Sequence, residues 1–303
     1  MPIAVPGSRQ SPGARALVLA MLLAGAVSPR PAGAVDEIQV YNADISEVGQ
    51  WTVEQHLNYA LQGRTQPEFS GGLVANHALN GTPELAYGLT EWWELGFYVP
   101  FAVNSADQLL SDGFKIRTLF VSPHAGERSL FYGVNFEGSY TTPSFSQSRY
   151  AFEIRPIIGV RNADWEFIVN PIVDFGVGQS GEADFAPAAR LARQLAHDVF
   201  VGLEYYGDYG KVGNFLPIKE QQHQLFAVTD FKVGMIDVEF GLGYGLTAGS
   251  DRLVAKTILG YAFPVPGQAE GNGDHSPKTP LATRAEAARN AWSPAPDPPT
   301  AVR

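Results

Sequence analysis

The stretch "WWELGFYVPFAV", residues 92–103, alternates between two kinds of side chain. Bulky apolar residues such as Trp93 and Phe97 occupy every second position, and Glu94 and Gly96 stand between them. Successive side chains of a β-strand point to opposite faces, so the pattern predicts a strand with two chemically different faces. In a soluble sandwich the bulky face would pack against a second sheet, whereas in a membrane barrel it would face lipid.

The same alternation recurs along the chain, with turn signals between the segments. Twelve strands are predicted, near residues 51–62, 75–89, 93–103, 113–121, 129–141, 149–160, 164–177, 185–194, 198–207, 223–232, 235–247 and 253–263. A spacing of roughly ten residues per strand plus a connection suits a tilted outer-membrane strand.

The face opposite the apolar one mixes charge with glycine. In "MIDVEFGLGYGL", residues 235–246, Asp237 and Glu239 share that face with three glycines. Such a face has little purpose on the surface of a sandwich, but inside a barrel glycine leaves room for charged neighbours. Closure also removes the unpaired sheet edges that lipid cannot tolerate. We therefore predict an all-β fold, an antiparallel transmembrane β-barrel of about 12 strands with its apolar face outward.

Connection lengths agree with this topology. If the first strand runs outward from the periplasm, the short connections near residues 90–92, 161–164 and 233–234 face the periplasm. The longer ones near 62–74 and 207–222 then face the exterior, as expected for such barrels.

Three prolines and two of the predicted strands depart from the regular alternation of a barrel. Pro100, Pro156 and Pro171 lie inside predicted strands, where proline removes a ladder hydrogen bond, so bulges are predicted there. The eighth strand, "FAPAARLARQ", also fits a helix. The tenth, "HQLFAVTDFK", has apolar residues on both faces, which leaves its register open.

The two ends of the chain differ from the middle. Arg9 and Arg15 precede a short apolar run, residues 16–27, and a small-residue cleavage site follows. This is typical of a secretory signal peptide, predicted at residues 1–34.

The C-terminal end has a different composition. Residues 264–303 hold eight prolines and one aromatic residue, Trp292. We predict a barrel over residues 35–263 followed by a disordered, Pro-rich periplasmic tail.

Composition excludes several classes of protein. The chain has no cysteine, so no disulfide stabilises it. No window of about 20 apolar residues is present for a spanning helix. Residues 35–263 carry 27 acidic and 14 basic side chains, which argues against a nucleic-acid partner, because phosphates require Lys and Arg.

The last predicted strand, "KTILGYAF", begins at polar Lys256 and ends on aromatic Tyr261 and Phe263. It resembles the terminal signature that the barrel-assembly machinery reads, although forty residues follow it here. With "LNGTPELAYGLTEWWELGFYVPF" and "KIRTLFVSP", the segment 35–263 resembles a family of proteobacterial outer-membrane barrels described as porin-like or transporter-like. The resemblance implies a Gram-negative outer membrane, contact with its lipids and the assembly machinery, and neither a substrate nor a catalytic residue.

The inward faces predict a charged lumen. Its candidate residues are Glu84, Glu94, Lys115, Arg117, Asn135, Glu137, Glu153, Arg155, Glu166, Asn170, Asp174, Arg190, Glu204, Asp237, Glu239 and Lys256. Rings of fixed charge can select ions or hold a solute, and the excess of acids would favour cations. Alternatively, acids and bases pair across strands and plug the interior. The sequence leaves both possibilities open.

The predicted function is passage or uptake of small polar or amphipathic solutes, without a cofactor or a metal. A lipid-modifying hydrolase, a structural barrel with a plugged lumen and a secreted soluble sandwich are the alternatives. "NHALNG", residues 76–81, resembles a His-x-Ser-Asn-Gly hydrolase signature but has Leu79 in the place of serine, so no catalytic residue is predicted. The other histidines, including His56 and His223, are scattered singly, without metal-ligand spacing.

Overall fold

The computed structural model describes residues 37–177 and 183–265. The predicted signal peptide, and the predicted tail from residue 266 onward, lie outside the described residues. Sixteen strand segments form one sheet. They are β1 (Trp51–Gln62), β2 (Leu79–Thr90), β3 (Trp93–Tyr98), β4 (Phe101–Val103), β5 (Leu109–Ser111), β6 (Phe114–Val121), β7 (Leu130–Tyr140), β8 (Tyr150–Arg161), β9 (Trp165–Asn170), β10 (Val173–Val177), β11 (Ala183–Phe185), β12 (Ala188–Ala196), β13 (Val199–Asp208), β14 (Gln222–Val233), β15 (Ile236–Gly245) and β16 (Leu253–Ala262).

These segments make twelve antiparallel spans, because β3–β4, β5–β6, β9–β10 and β11–β12 are consecutive pieces of single spans. The sheet closes where β1 pairs with β16, from Thr52 opposite Ala262 to Gln62 opposite Leu253. The predicted twelve-stranded barrel is confirmed. A sandwich is excluded, because all the strands belong to one closed sheet. Within the described residues, no helix has the length and apolar character to cross a membrane.

The two ends of the barrel differ. At the terminus end, where β1 begins and β16 ends, most connections are as short as Glu91–Trp92 between β2 and β3. At the loop end, residues 63–78 and 209–221 make long connections. The predicted grouping of short and long connections at opposite ends is confirmed, and the end that faces the periplasm stays a prediction.

Residues 92–103 have their apolar face on the outside of the barrel. Leu95 and Phe97 are 40% and 44% exposed, whereas Glu94 and Tyr98 point inward and are buried. The tenth span has a definite register too. Leu225 faces outward, and Phe226 is fully buried in the lumen. The eighth span, β11–β12, is a strand and not a helix.

Two of the three prolines predicted inside strands lie at breaks between strand segments. Pro100 separates β3 from β4, and Pro171 separates β9 from β10. The bulges predicted at these two prolines were wrong, because β2 pairs with β3 and β4, and β8 pairs with β9 and β10, in one register across each proline. The bulge predicted at Pro156 was wrong, because β8 runs through that residue without a break. The flanking pairs, Ile154 with Val173 and Ile158 with Val169, put Pro156 opposite Pro171. One gap in the hydrogen-bond ladder thus accommodates both prolines.

Inward glycines make space for large neighbours. A Cβ at Gly96 would lie 2.7 Å from the Arg117 side chain, as expected for a glycine beside a charged residue. A Cβ at Gly159 would lie 2.1 Å from the ring of Phe131, which is fully buried. The lumen is therefore packed around aromatic rings as well as charges.

We expect Gly159→Val to destabilise the barrel by about 2 kcal/mol, because the new side chain would overpack against Phe131. Urea unfolding of the refolded protein, followed by tryptophan fluorescence, measures the change. Gly138→Val is the matched control, since a Cβ at Gly138 meets no atom within 4 Å. Equal stability of the two variants would contradict the packing argument.

Candidate functional site

The chain before the first strand lies inside the barrel. We call residues 37–50 the lumenal segment. Tyr41 is tied to the wall by Asn170, whose side-chain oxygen accepts from the Tyr41 N–H at 2.7 Å and whose amide donates to the Tyr41 carbonyl at 3.0 Å. Further wall contacts are Lys256 Nζ to the Ile38 carbonyl (3.0 Å), Arg155 to the Gln39 carbonyl (3.3 Å), Arg161 to the Asn42 carbonyl (3.3 Å) and the Ser46 N–H to Glu94 (2.6 Å). These bonds satisfy a buried backbone that has no regular secondary structure.

Tyr41 anchors the middle of the lumenal segment. Its hydroxyl lies 2.8 Å from the Tyr98 hydroxyl and 2.9 Å from Glu37 Oε1. The Arg155 guanidinium lies 4.3 Å from the centre of its ring, within cation–π range. Burial raises the pKa of Tyr41 well above its ordinary value, and the carboxylate of Glu37 adds to the shift. The hydroxyl therefore stays protonated and can donate a hydrogen bond.

An apolar cluster underlies this segment. Val40, Tyr41 and Ala43 pack with inward residues of the wall that include Phe131 and Ile157. The sequence predicted a charged lumen, and the structure adds this apolar part, which the lumenal segment covers.

The largest ion-pair network centres on Arg190. Its guanidinium lies 2.5 Å from Glu204, contacts Asp230, and lies 3.6 Å from Glu166 and from Glu239. Lys256, fully buried, joins the same network. Its Nζ contacts Glu204 and lies 2.6 Å from Glu239.

Smaller ion pairs line the other side of the lumen. Arg117 lies 2.6 Å from both Glu84 and Glu94. Lys115 pairs with Glu137 at 3.0 Å, and Arg155 pairs with Glu153 at 2.8 Å.

All the predicted lumen residues point into the barrel. Those that are buried are Glu84, Glu94, Lys115, Arg117, Asn135, Glu137, Arg155, Glu166, Asn170, Arg190, Glu204 and Lys256, and those that line cavities at intermediate exposure are Glu153, Asp174, Asp237 and Glu239. The structure thus brings them together, and their part in selectivity stays a prediction. Of the predicted assembly signal, Lys256 faces the lumen, while Tyr261 and Phe263 meet edge to face at 4.9 Å.

Two cavities in the lumen are lined by described residues, one at each end. Among the described residues, the lining of the terminus-end cavity has seven acidic side chains and one basic side chain, that of Arg117. The loop-end cavity is the larger of the two, and its lining includes six acidic side chains together with Lys115 and Arg155. Gln39 of the lumenal segment borders both cavities, so this segment lies between them.

Sequence reasoning missed the surroundings of His56. The ring is 1% exposed, and its Nε2 lies 3.4 Å from Glu84 and 3.6 Å from Glu54. Glu37 of the lumenal segment also approaches it. Burial alone would raise the pKa of Glu37, but the nearby charges of His56 and two further bases hold it below its ordinary value. Alternation along β1 does indicate that His56 faces inward, but its partners come from three separate parts of the chain.

Neither His77 nor His223 on the outer face has a serine hydroxyl of the described residues at its ring. His77 lies 3.5 Å from the Tyr59 hydroxyl. Both ring nitrogens of His223 are engaged, by Tyr205 at 2.6 Å and by Gln221 at 2.9 Å. Ser250 bonds only the backbone of His223. Among the described residues, no serine hydroxyl hydrogen-bonds a histidine ring, which the hydrolase alternative requires.

Several solved structures are similar to this fold. The COG4313 outer membrane channel from Pseudomonas putida F1 is 11% identical, with 75% of this chain and 100% of that chain covered and a TM-score of 0.53. The NanC porin is 8% identical, with coverages of 70% and 98% and a TM-score of 0.46. No family model and no curated sequence matches the chain. At such low identity the likeness concerns the fold alone, and at that level the resemblance predicted from the sequence is confirmed: the chain has the fold of a bacterial outer-membrane β-barrel.

Proposed function

We propose that this protein is an outer-membrane channel for small polar or cationic solutes, which pass only when the lumenal segment moves aside. The observation that carries the proposal is the pair of acidic cavities, one at each end, separated by that segment. A purely structural interior would not require two cavities whose linings carry the same sign of charge.

The charge of the cavities supports a preference for cations. Acidic residues outnumber basic ones in both linings, and walls of low dielectric strengthen the field of fixed charges. Small cations would therefore concentrate at both ends of the lumen, whereas anions would be repelled.

The orientation of the barrel follows from its connections. We infer that the terminus end, with its short turns, faces the periplasm and that the loop end faces the exterior. A solute would then enter the larger, loop-end cavity first and would meet the lumenal segment next.

The lumenal segment is held by bonds that a small rearrangement could break. Asn170 makes two hydrogen bonds to the Tyr41 backbone, each worth about 1 kcal/mol. Their loss would shift the balance between seated and displaced segment by about 2 kcal/mol, or roughly 30-fold.

Conductance in planar lipid bilayers tests the proposal. We expect rare, cation-selective openings from the wild-type protein and a roughly 30-fold higher open fraction from Asn170→Ala. The matched control is Asn135→Ala, since Asn135 is also fully buried in the lumen and its amide has no hydrogen-bond partner among the described residues.

Two other outcomes of the conductance measurement would contradict parts of the proposal. Silence from both variants, with insertion verified by heat-modifiable migration, would indicate a structural barrel with a permanently plugged lumen. Anion-selective openings would overturn the inferred preference for cations.

A further inference from the structure

His56 is a buried imidazole surrounded by carboxylates. One ligand atom each from Glu37, His56 and Glu84 lies within 4.8 Å of the other two. Glu54 adds a third carboxylate, 3.6 Å from the His56 Nε2. Three different parts of the chain contribute: the lumenal segment, β1 and β2.

The protein's own contacts leave donor atoms of this cluster available. Glu84 Oε1 accepts from Arg117 at 2.8 Å, while Oε2 faces His56. Glu37 Oε1 accepts from Tyr41, which leaves its other oxygen. His56 presents its Nε2 to Glu84 and Glu54, while its Nδ1 has no hydrogen-bond partner among the described residues. Such outer contacts fix the orientation of a ligand without using all of its donor atoms.

The negative charges of the cluster also favour the binding of a cation. Three carboxylates face His56, which is 1% exposed, and the guanidinium of Arg117, which is shared with Glu94. Buried carboxylates are stable only when paired or coordinated, so an added positive charge at their centre would be strongly favourable.

We propose that Glu37, His56 and Glu84 bind one divalent transition-metal ion, with Glu54 as a fourth ligand. An imidazole with carboxylates suits zinc better than magnesium or calcium, which prefer oxygen ligands alone. Ligand atoms about 2.0 Å from a tetrahedral zinc are roughly 3.3 Å apart. The two His56 distances, 3.4 and 3.6 Å, are already close to that value.

The metal would join the lumenal segment to the wall, because Glu37 belongs to the segment and the other ligands belong to β1 and β2. This inference does not rest on the proposed channel function. Metal binding is measured on the protein in detergent, where no conductance is needed, so either proposal can fail without the other.

Isothermal titration calorimetry of zinc chloride into untagged, chelator-treated full-length protein tests the site. We expect one equivalent to bind, and we expect Glu37→Gln and His56→Gln to weaken the affinity at least tenfold. Glu153→Gln is the matched control, since Glu153 is a lumenal carboxylate that pairs with Arg155 outside the cluster. It should bind zinc as the wild type does.

A spectroscopic measurement keeps the test decisive if His56→Gln fails to fold. Cobalt(II) bound to the wild type should show the visible absorption of a four-coordinate site, and Glu37→Gln, a change outside the strands, should diminish it. Absence of saturable zinc binding by the wild type would overturn the proposal. So would a folded His56→Gln variant that binds zinc as tightly as the wild type, or magnesium bound in preference to zinc.

Discussion

Replacing Arg190 with leucine is expected to destabilise the barrel by about 3–5 kcal/mol, the usual cost of removing one partner from a buried ion-pair network. The guanidinium lies close to Glu166, Glu204, Asp230 and Glu239. Without it, these carboxylates would face one another in the lumen with Lys256 as the main remaining cation. Leucine is shorter than arginine and leaves the space of the guanidinium empty, so the loss would combine the missing charge with lost packing contacts.

The measurement is urea unfolding of the refolded protein, with the temperature of the heat-modifiable shift as a second readout. Arg193→Leu is the control, because Arg193 lies on the outer face of the same strand, 5.5 Å from the ring centre of Trp165. Its removal should change stability by less than about 1 kcal/mol. Similar losses in the two variants would mean that the Arg190 network does not stabilise the barrel.

Tyr41→Ala is expected to release the lumenal segment while the barrel itself stays folded. Truncating a buried aromatic side chain to alanine costs about 3–5 kcal/mol. The change also removes the hydroxyl that bonds Tyr98 and Glu37, and the ring beside Arg155. This change in free energy would raise the population of the displaced segment by roughly a hundredfold or more.

Hydrogen exchange followed by mass spectrometry measures the release. Amides of residues 38–46 should exchange roughly a hundredfold faster in Tyr41→Ala, while those of β7 and β8 keep wild-type rates. Tyr41→Phe keeps the ring and loses only the hydroxyl. It should therefore accelerate the exchange of these amides much less than Tyr41→Ala does. Unchanged exchange in Tyr41→Ala would show that the other wall contacts hold the segment without Tyr41.

The strands and the direction of their faces could be predicted because alternation reports them locally. Leu95 and Glu94 reveal opposite faces whatever the rest of the chain does. The register of β14 could not be predicted, because Leu225 and Phe226 are both large and apolar. Only the lumen, which leaves space for Phe226 beside Gly243, decides which of them points inward.

The lumenal segment and the His56 cluster could not be predicted for a different reason. Residues 37–50 have no regular period, and several of their anchors are wall side chains more than a hundred positions away, such as Asn170. His56 looked isolated because spacing along a chain detects ligands only when they share an element. Its neighbours Glu37 and Glu84 meet it only after the barrel has closed around the segment.

The bond from Lys256 to the Ile38 carbonyl joins positions 218 residues apart. Lys256 belongs to the last strand, so this bond can form only when the final span is in place. Contacts between distant parts of a chain form late, because a large loop must close first. The lumenal segment therefore gains this anchor only after the final span has paired, which ties its complete seating to the closure of the barrel.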